Sequence, residues 1–190
     1  MNVAEIKQMR KNQYIFLNTL LIAALILFYC LIRTFEITYS HFFLFLGVLL
    51  IVQAIIGFLK RDSTKSIFPI IEKVAKYEKE KMGSEWKKQR IIGYVWNVLL
   101  GGFMLFRVYW DPYLGEDVMK ADFQFWFILL FIFTLLLNVS MLLHIRKVDR
   151  STSVADLKGY TWKSNALAVC VGVILAFLFM VIIIFYVFTI

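Results

Sequence analysis

Four stretches of the chain, residues 14–32, 42–59, 123–143 and 166–190, contain no Asp, Glu, Lys or Arg, and a fifth, 91–110, carries only Arg107 near its end. Each is close to the roughly 20 apolar residues that an α-helix needs to cross the hydrocarbon of a bilayer. In hydrocarbon every backbone N–H and C=O must be satisfied within the protein, so segments of this kind are confined to helices. The expected fold class is therefore all-α: a single-domain integral membrane helical bundle with five transmembrane helices. Composition agrees, because 61 % of the 190 residues are apolar and the mean hydropathy is +0.75, against an apolar share of about half in soluble domains. In the fifth stretch Arg107 can snorkel to the interface while Tyr109 and Trp110 anchor that end.

The formal charge of +8 has a pattern. The segment before the first span holds Lys7, Arg10 and Lys11, and the loops 60–90 and 144–165 hold most of the rest, so that 18 of the 21 basic residues alternate onto one side. Only Arg33, Arg107 and Lys120 fall on the other. Cytoplasmic loops are the ones enriched in Lys and Arg, which gives an amino terminus inside and a carboxyl terminus outside. If the 91–110 segment lay on the surface instead of crossing, the basic loop 144–165 would face outward and the asymmetry would split. No basic stripe interleaved with exposed aromatics occurs, so nucleic acid is not an expected partner. The first apolar stretch is followed by no small-residue cleavage site, and bulky Leu27, Phe28 and Tyr29 precede Cys30, so it is expected to remain as an anchor and not to be cleaved.

Loop 60–90 has a helical pattern of its own. Ile67, Ile70, Ile71 and Val74 recur at three- and four-residue spacing, Ser66 is a candidate cap, Pro69 suits a first turn and Gly83 a stop. Glu72 and Glu80 are spaced to pair with Lys76. The expectation is a cytoplasmic amphipathic helix over 67–82 lying on the inner leaflet, with packing beneath the bundle as the structural alternative. Lys60 to Ser66 and Lys147 to Ser153 resemble each other, as do the Trp86-Lys87 and Trp162-Lys163 pairs. Tandem hairpins with a closing helix would explain this echo, although short basic, hydroxyl-rich loops also resemble one another by composition.

No phosphate-cradling glycine loop, HExxH, CxxC or nucleophile elbow is present in the sequence. His41 and His144 fall at opposite membrane faces on this topology, and Cys30 and Cys170 lie inside apolar runs, so neither a metal nor a cofactor is expected. No span has a charged residue at its middle, where a coupled carrier generally carries one. The intramembrane polar residues are the amides Asn18, Gln53, Asn97 and Asn138. Amides in hydrocarbon need partners, so they are expected to bond between helices, with a polar path as the functional alternative. Gly101 and Gly102 permit close helix contact. Ala168, Gly172 and Ala176 form a small-xxx-small face suited to docking a helix of this chain or another. Arg107, Trp110, Asp111, Glu116 and Asp117 form a candidate outer-rim patch, whose ordinary reading is interfacial anchoring.

The absence of catalytic patterns, beside a packing face and a charged loop helix, makes the expected function a non-enzymatic one. The chain reads as a small multi-pass accessory protein of a bacterial plasma membrane that acts by binding a partner: a regulatory, assembly or immunity-type subunit. The expected partners are the lipid bilayer and a membrane protein or further copies of the chain. The alternative is a transporter or channel component with the amides lining a path. A lipid-modifying enzyme using the acidic outer loop is the least supported.

Overall fold

The computed structural model describes residues 2–115, 118–119 and 123–189. Its helices are α1 (Val3–Thr34), α2 (Tyr39–Leu59), α3 (Pro69–Met82), α4 (Ser84–Trp110), α5 (Phe123–Arg150) and α6 (Tyr160–Thr189), with short 3-10 turns at Pro112–Gly115 and Val154–Leu157. Among the described residues there is no strand, only an isolated bridge between Thr38 and Val118. Helices α1, α2, α4, α5 and α6 are long and apolar enough to cross a membrane, with window hydropathies from 1.6 to 2.8. Leu27, Phe45, Phe103, Phe131 and Ile174 are all more than half exposed on these helices. Apolar surface on that scale is unfavourable in water and ordinary against lipid tails.

The helices outrun the apolar stretches at the basic end. Helix α1 starts at Val3, where the carboxylate of Glu5 accepts from the Asn2 backbone N–H at 3.2 Å, an N-terminal arrangement that satisfies a donor the first turn leaves open. Helix α5 continues to Arg150. Helix α3 starts at Pro69 and not at 67, because the proline ring disfavours helical geometry in the residue before it and Phe68 is extended (φ −99°, ψ 118°). It stops at Gly83, whose φ of +56° suits glycine and turns the chain directly into α4.

Helices α2 and α4 pack along their length, and glycines set how closely. A Cβ added to Gly101 would stand 2.8 Å from the carbonyl oxygen of Gly47, and one on Gly57 would enter the Tyr94 ring. Gly102, one residue on, faces open space. This close approach gathers many weak contacts where no hydrophobic drive operates between helices.

Among the described residues, a buried apolar cluster lies at the basic end. Met9 of α1, Val74, Tyr77 and Met82 of α3, Trp86 of α4, Val148 of α5 and Leu157 pack into one cluster. The basic segments thus fold into a cap over one end of the bundle. The two basic loops that the sequence echo pairs sit in different surroundings: Trp86 is 5 % exposed and Trp162 76 %, and α2 packs along α4 across the first loop while α6 stands largely away from α5 across the second.

Candidate functional site

Arg10 is the hub of the cap. It is 5 % exposed, and a buried guanidinium requires both charge and hydrogen-bond compensation. Asp149 receives it two-pronged, from Nη2 to Oδ1 at 2.8 Å and from Nε to Oδ2 at 3.2 Å. Nη1 donates to Glu78 Oε1 and to Gln13 Oε1, both at 2.8 Å. The guanidinium also lies 5.2 Å from the Tyr77 ring centre. The planar fork of arginine suits this geometry in a way that the point charge of lysine does not.

The network continues from Glu78 into α5 and α6. Nε2 of His144 lies 3.2 Å from Glu78 Oε1, and Nδ1 lies 2.9 Å from the Tyr160 hydroxyl. A neutral ring would donate from Nε2 to the carboxylate and accept from the tyrosine, and a protonated ring would donate at both nitrogens. Burial pushes the Glu78 carboxyl up, but His144 and Arg10 together outweigh it and hold the group below its ordinary value. Burial, with the Asp149 carboxylate nearby, pushes the Tyr77 phenol up to about 12. Between α4 and α6, the buried Glu85 carboxylate accepts from the Thr161 backbone N–H at 3.2 Å and from Lys88 at 2.7 Å. Further along the same pair, Trp96 Nε1 donates to Asn165 Oδ1 at 3.3 Å.

Beneath this cap, a cavity of ≈ 790 Å³ opens between α4, α5 and α6, within the roughly 300–1,000 Å³ range of small-molecule sites. Its polar end presents Glu78, Gln89, Arg90, His144, Tyr160 and Lys163. Its other walls are apolar apart from Ser140, running from Leu143 and Val139 to Leu136 on α5 and from Leu167 to Leu175 on α6. Arg90 lies over Trp86, donates to the Tyr94 hydroxyl and reaches the Ser63 carbonyl. These neutral partners leave its charge uncompensated by any carboxylate among the described residues. Lys163 is exposed, and its ammonium has no partner among the described residues.

The residues singled out in the sequence fall into separate places. Asn18 and Asn138 face each other and exchange amide hydrogen bonds of 3.0 and 2.8 Å, and each also donates to the carbonyl four residues back in its own helix. Gln53 is exposed beside Phe45, Val48, Leu49 and Val52 on α2, and Asn97 is half-buried on α4. Ala168 and Gly172 line the cavity; a Cβ on Gly172 would touch nothing, and Ala176 is exposed one turn further on. At the far end Arg107 pairs with Asp111 at 3.2 Å and Trp110, 70 % exposed, stacks on Phe106. Glu116 and Asp117 lie outside the described residues.

Arg10, Glu78, Asp149 and Tyr160 were not among the sequence candidates, and His144 entered only as an interfacial residue. Their partners lie on other helices, so no local spacing could reveal them. Among the described residues no three His, Cys, Asp or Glu side chains come together as a metal site. Compared with models of known protein families, with curated proteins and with solved structures, the chain matches none.

Proposed function

We propose that this chain is a small multi-pass accessory protein of a bacterial plasma membrane, and that it works by binding a membrane-resident ligand in the cleft between α4, α5 and α6. Its amino terminus and cap lie in the cytoplasm and its carboxyl terminus outside in this reading, which the one-sided placement of basic residues supports. The observation that carries this reading is the contrast between the locked cap and the gap below it. Arg10 and His144 join α1, α3, α5 and α6, while α6 leaves a polar-mouthed cavity beside α5. A rigid frame around a preformed cleft limits the ordering cost of binding. Helix α3 turns Val74, Tyr77 and Met82 into the cap, so what supports contact with the inner leaflet is the exposed Ile67 ahead of it, not the apolar face of the helix. The transporter alternative gains less, because Asn18 and Asn138 spend their amides on each other.

The test is photo-crosslinking in intact membranes from a benzoyl-phenylalanine replacing Leu167 at the cleft. A discrete adduct that disappears when Gly172→Leu fills the cleft is the expected result. Diffuse adducts indifferent to Gly172→Leu would contradict the reading.

A further inference from the structure

The shape and chemistry of the cleft define an amphiphile of one leaflet. From Lys163 to Leu175 the α6 wall runs twelve residues, about 18 Å at the rise of an α-helix. Half of the hydrocarbon thickness is about 15 Å. Among the described residues the lined surface therefore starts at the interface and ends near the midplane on α6, and on α5 it likewise stops at Leu136. A partner transmembrane helix would need a groove continuing through the other leaflet, whereas a lipid tail ends where this cleft ends.

At the mouth, the positive charge is the available one. Glu78 is the carboxylate there, and Arg10 and His144 already hold it. Lys163 has no partner among the described residues, Arg90 has neutral ones, and Gln89 adds an amide beside them. Such a mouth favours a phosphate-bearing anion. Along the wall, Ala168 and Gly172 keep α6 from filling the space. Across the first basic loop, by contrast, glycines let α2 and α4 close on each other.

We infer that the cleft holds one anionic phospholipid of the adjoining leaflet, with its phosphate at Lys163 and Arg90 and an acyl chain laid along Val139, Leu143, Ala168 and Gly172. This inference rests on the binding reading above and names the ligand class for the same cleft.

The experiment uses the full-length protein in a neutral detergent, with palmitoyl-oleoyl phosphatidylglycerol as the probe. Thermal unfolding is followed by tryptophan fluorescence, and retained lipid is counted by native mass spectrometry. One lipid should be retained and the melting temperature should rise saturably, with phosphatidylcholine, diacylglycerol and inorganic phosphate each giving a smaller rise. Lys163→Gln should weaken the effect about fivefold, as loss of one basic contact to an anionic lipid does. Gly172→Leu should abolish it while the lipid-free protein still unfolds cooperatively, since a Cβ at that position meets nothing within 4 Å. Wild-type affinity in both variants would overturn the inference, because the lipid would then be bound only around the outside. An equal rise with inorganic phosphate would overturn it too, leaving an anion site with no tail site. If phosphatidylglycerol had no effect while the Leu167 crosslink still captured a discrete protein, the lipid would be wrong and the binding reading would stand. If neither appeared, both would fall.

Discussion

Arg10 and Asp149, 139 positions apart in the chain, meet as a two-pronged ion pair of 2.8 and 3.2 Å that joins the start of α1 to the end of α5. Pairing of this kind contributes little by being present and costs a great deal to break, because the remaining buried charge has no solvent to return to. Removing Arg10 leaves Glu78 with only His144 and leaves Asp149 without this partner, with side chains 14 % and 24 % exposed. Arg10→Met is expected to cost about 3 kcal/mol, the lower end of the range for a broken buried pair because Asp149 retains some water. Arg10→Lys keeps the charge, loses the fork and should cost about half as much. Denaturation in mixed detergent micelles reads both.

The reciprocal amides allow a cleaner measurement. Asn18→Leu or Asn138→Leu alone strands the other amide between α1 and α5, whereas the double change removes donor and acceptor together. A double-mutant cycle should return a coupling of about 0.6 kcal/mol, the average for hydrogen bonds between membrane helices, and no more than about 1.7 kcal/mol, the largest of them. Additive single effects would mean that the pair does not form.

Adjacent glycines on α4 should respond oppositely. Gly101→Ala drives a methyl against the Gly47 carbonyl and should destabilise by about 1–3 kcal/mol through overpacking. Gly102→Ala meets nothing and should be neutral or better, since alanine favours a helix over glycine by up to about 1 kcal/mol. Thermal melts of the two variants side by side decide it.

Acid should loosen the cap through Glu78. Its folded value lies below the ordinary 4.5, so ionised Glu78 stabilises the folded state at every pH above 4.5. That contribution is lost as pH falls from 4.5 through the lowered value. Through Glu78 the melting temperature should decline as pH falls below about 5. Glu78→Gln should start lower at neutral pH and decline less steeply, and a parallel slope would remove Glu78 as a cause.

Much of the architecture was readable from hydropathy and charge, because lipid allows a chain so few solutions. Five apolar stretches become the apolar portions of five long helices, and the stop at Gly83 is a local matter of backbone freedom. The start of α3 moved by two residues because the restriction that Pro69 places on Phe68 prevailed over the apolar spacing. What sequence could not supply was the pairing across helices. Asn18 could be recognised as an amide in need of a partner, but not that Asn138, 120 residues away, would be that partner. Nor does a small-residue stripe distinguish a surface that meets a helix from one that leaves a cavity. Ala168 and Gly172 face the cleft, whereas Gly101 presses on Gly47, and the sequence around each reads alike. In the sequence Arg10 is one of three basic residues before the first span and serves only to orient it; the meeting of α1, α3 and α5 is what buries it.

The cleft can serve the inner leaflet only if the cap lies in the cytoplasm. Single cysteines at Lys76 and Tyr113, in a chain with Cys30 and Cys170 replaced by alanine, can be probed in intact cells with a membrane-impermeant maleimide. The position at Tyr113 should label from outside, and the one at Lys76 only after the membrane is permeabilised. Labelling of Lys76→Cys in sealed cells, with Tyr113→Cys protected, would place the basic cap outside and contradict the proposed site.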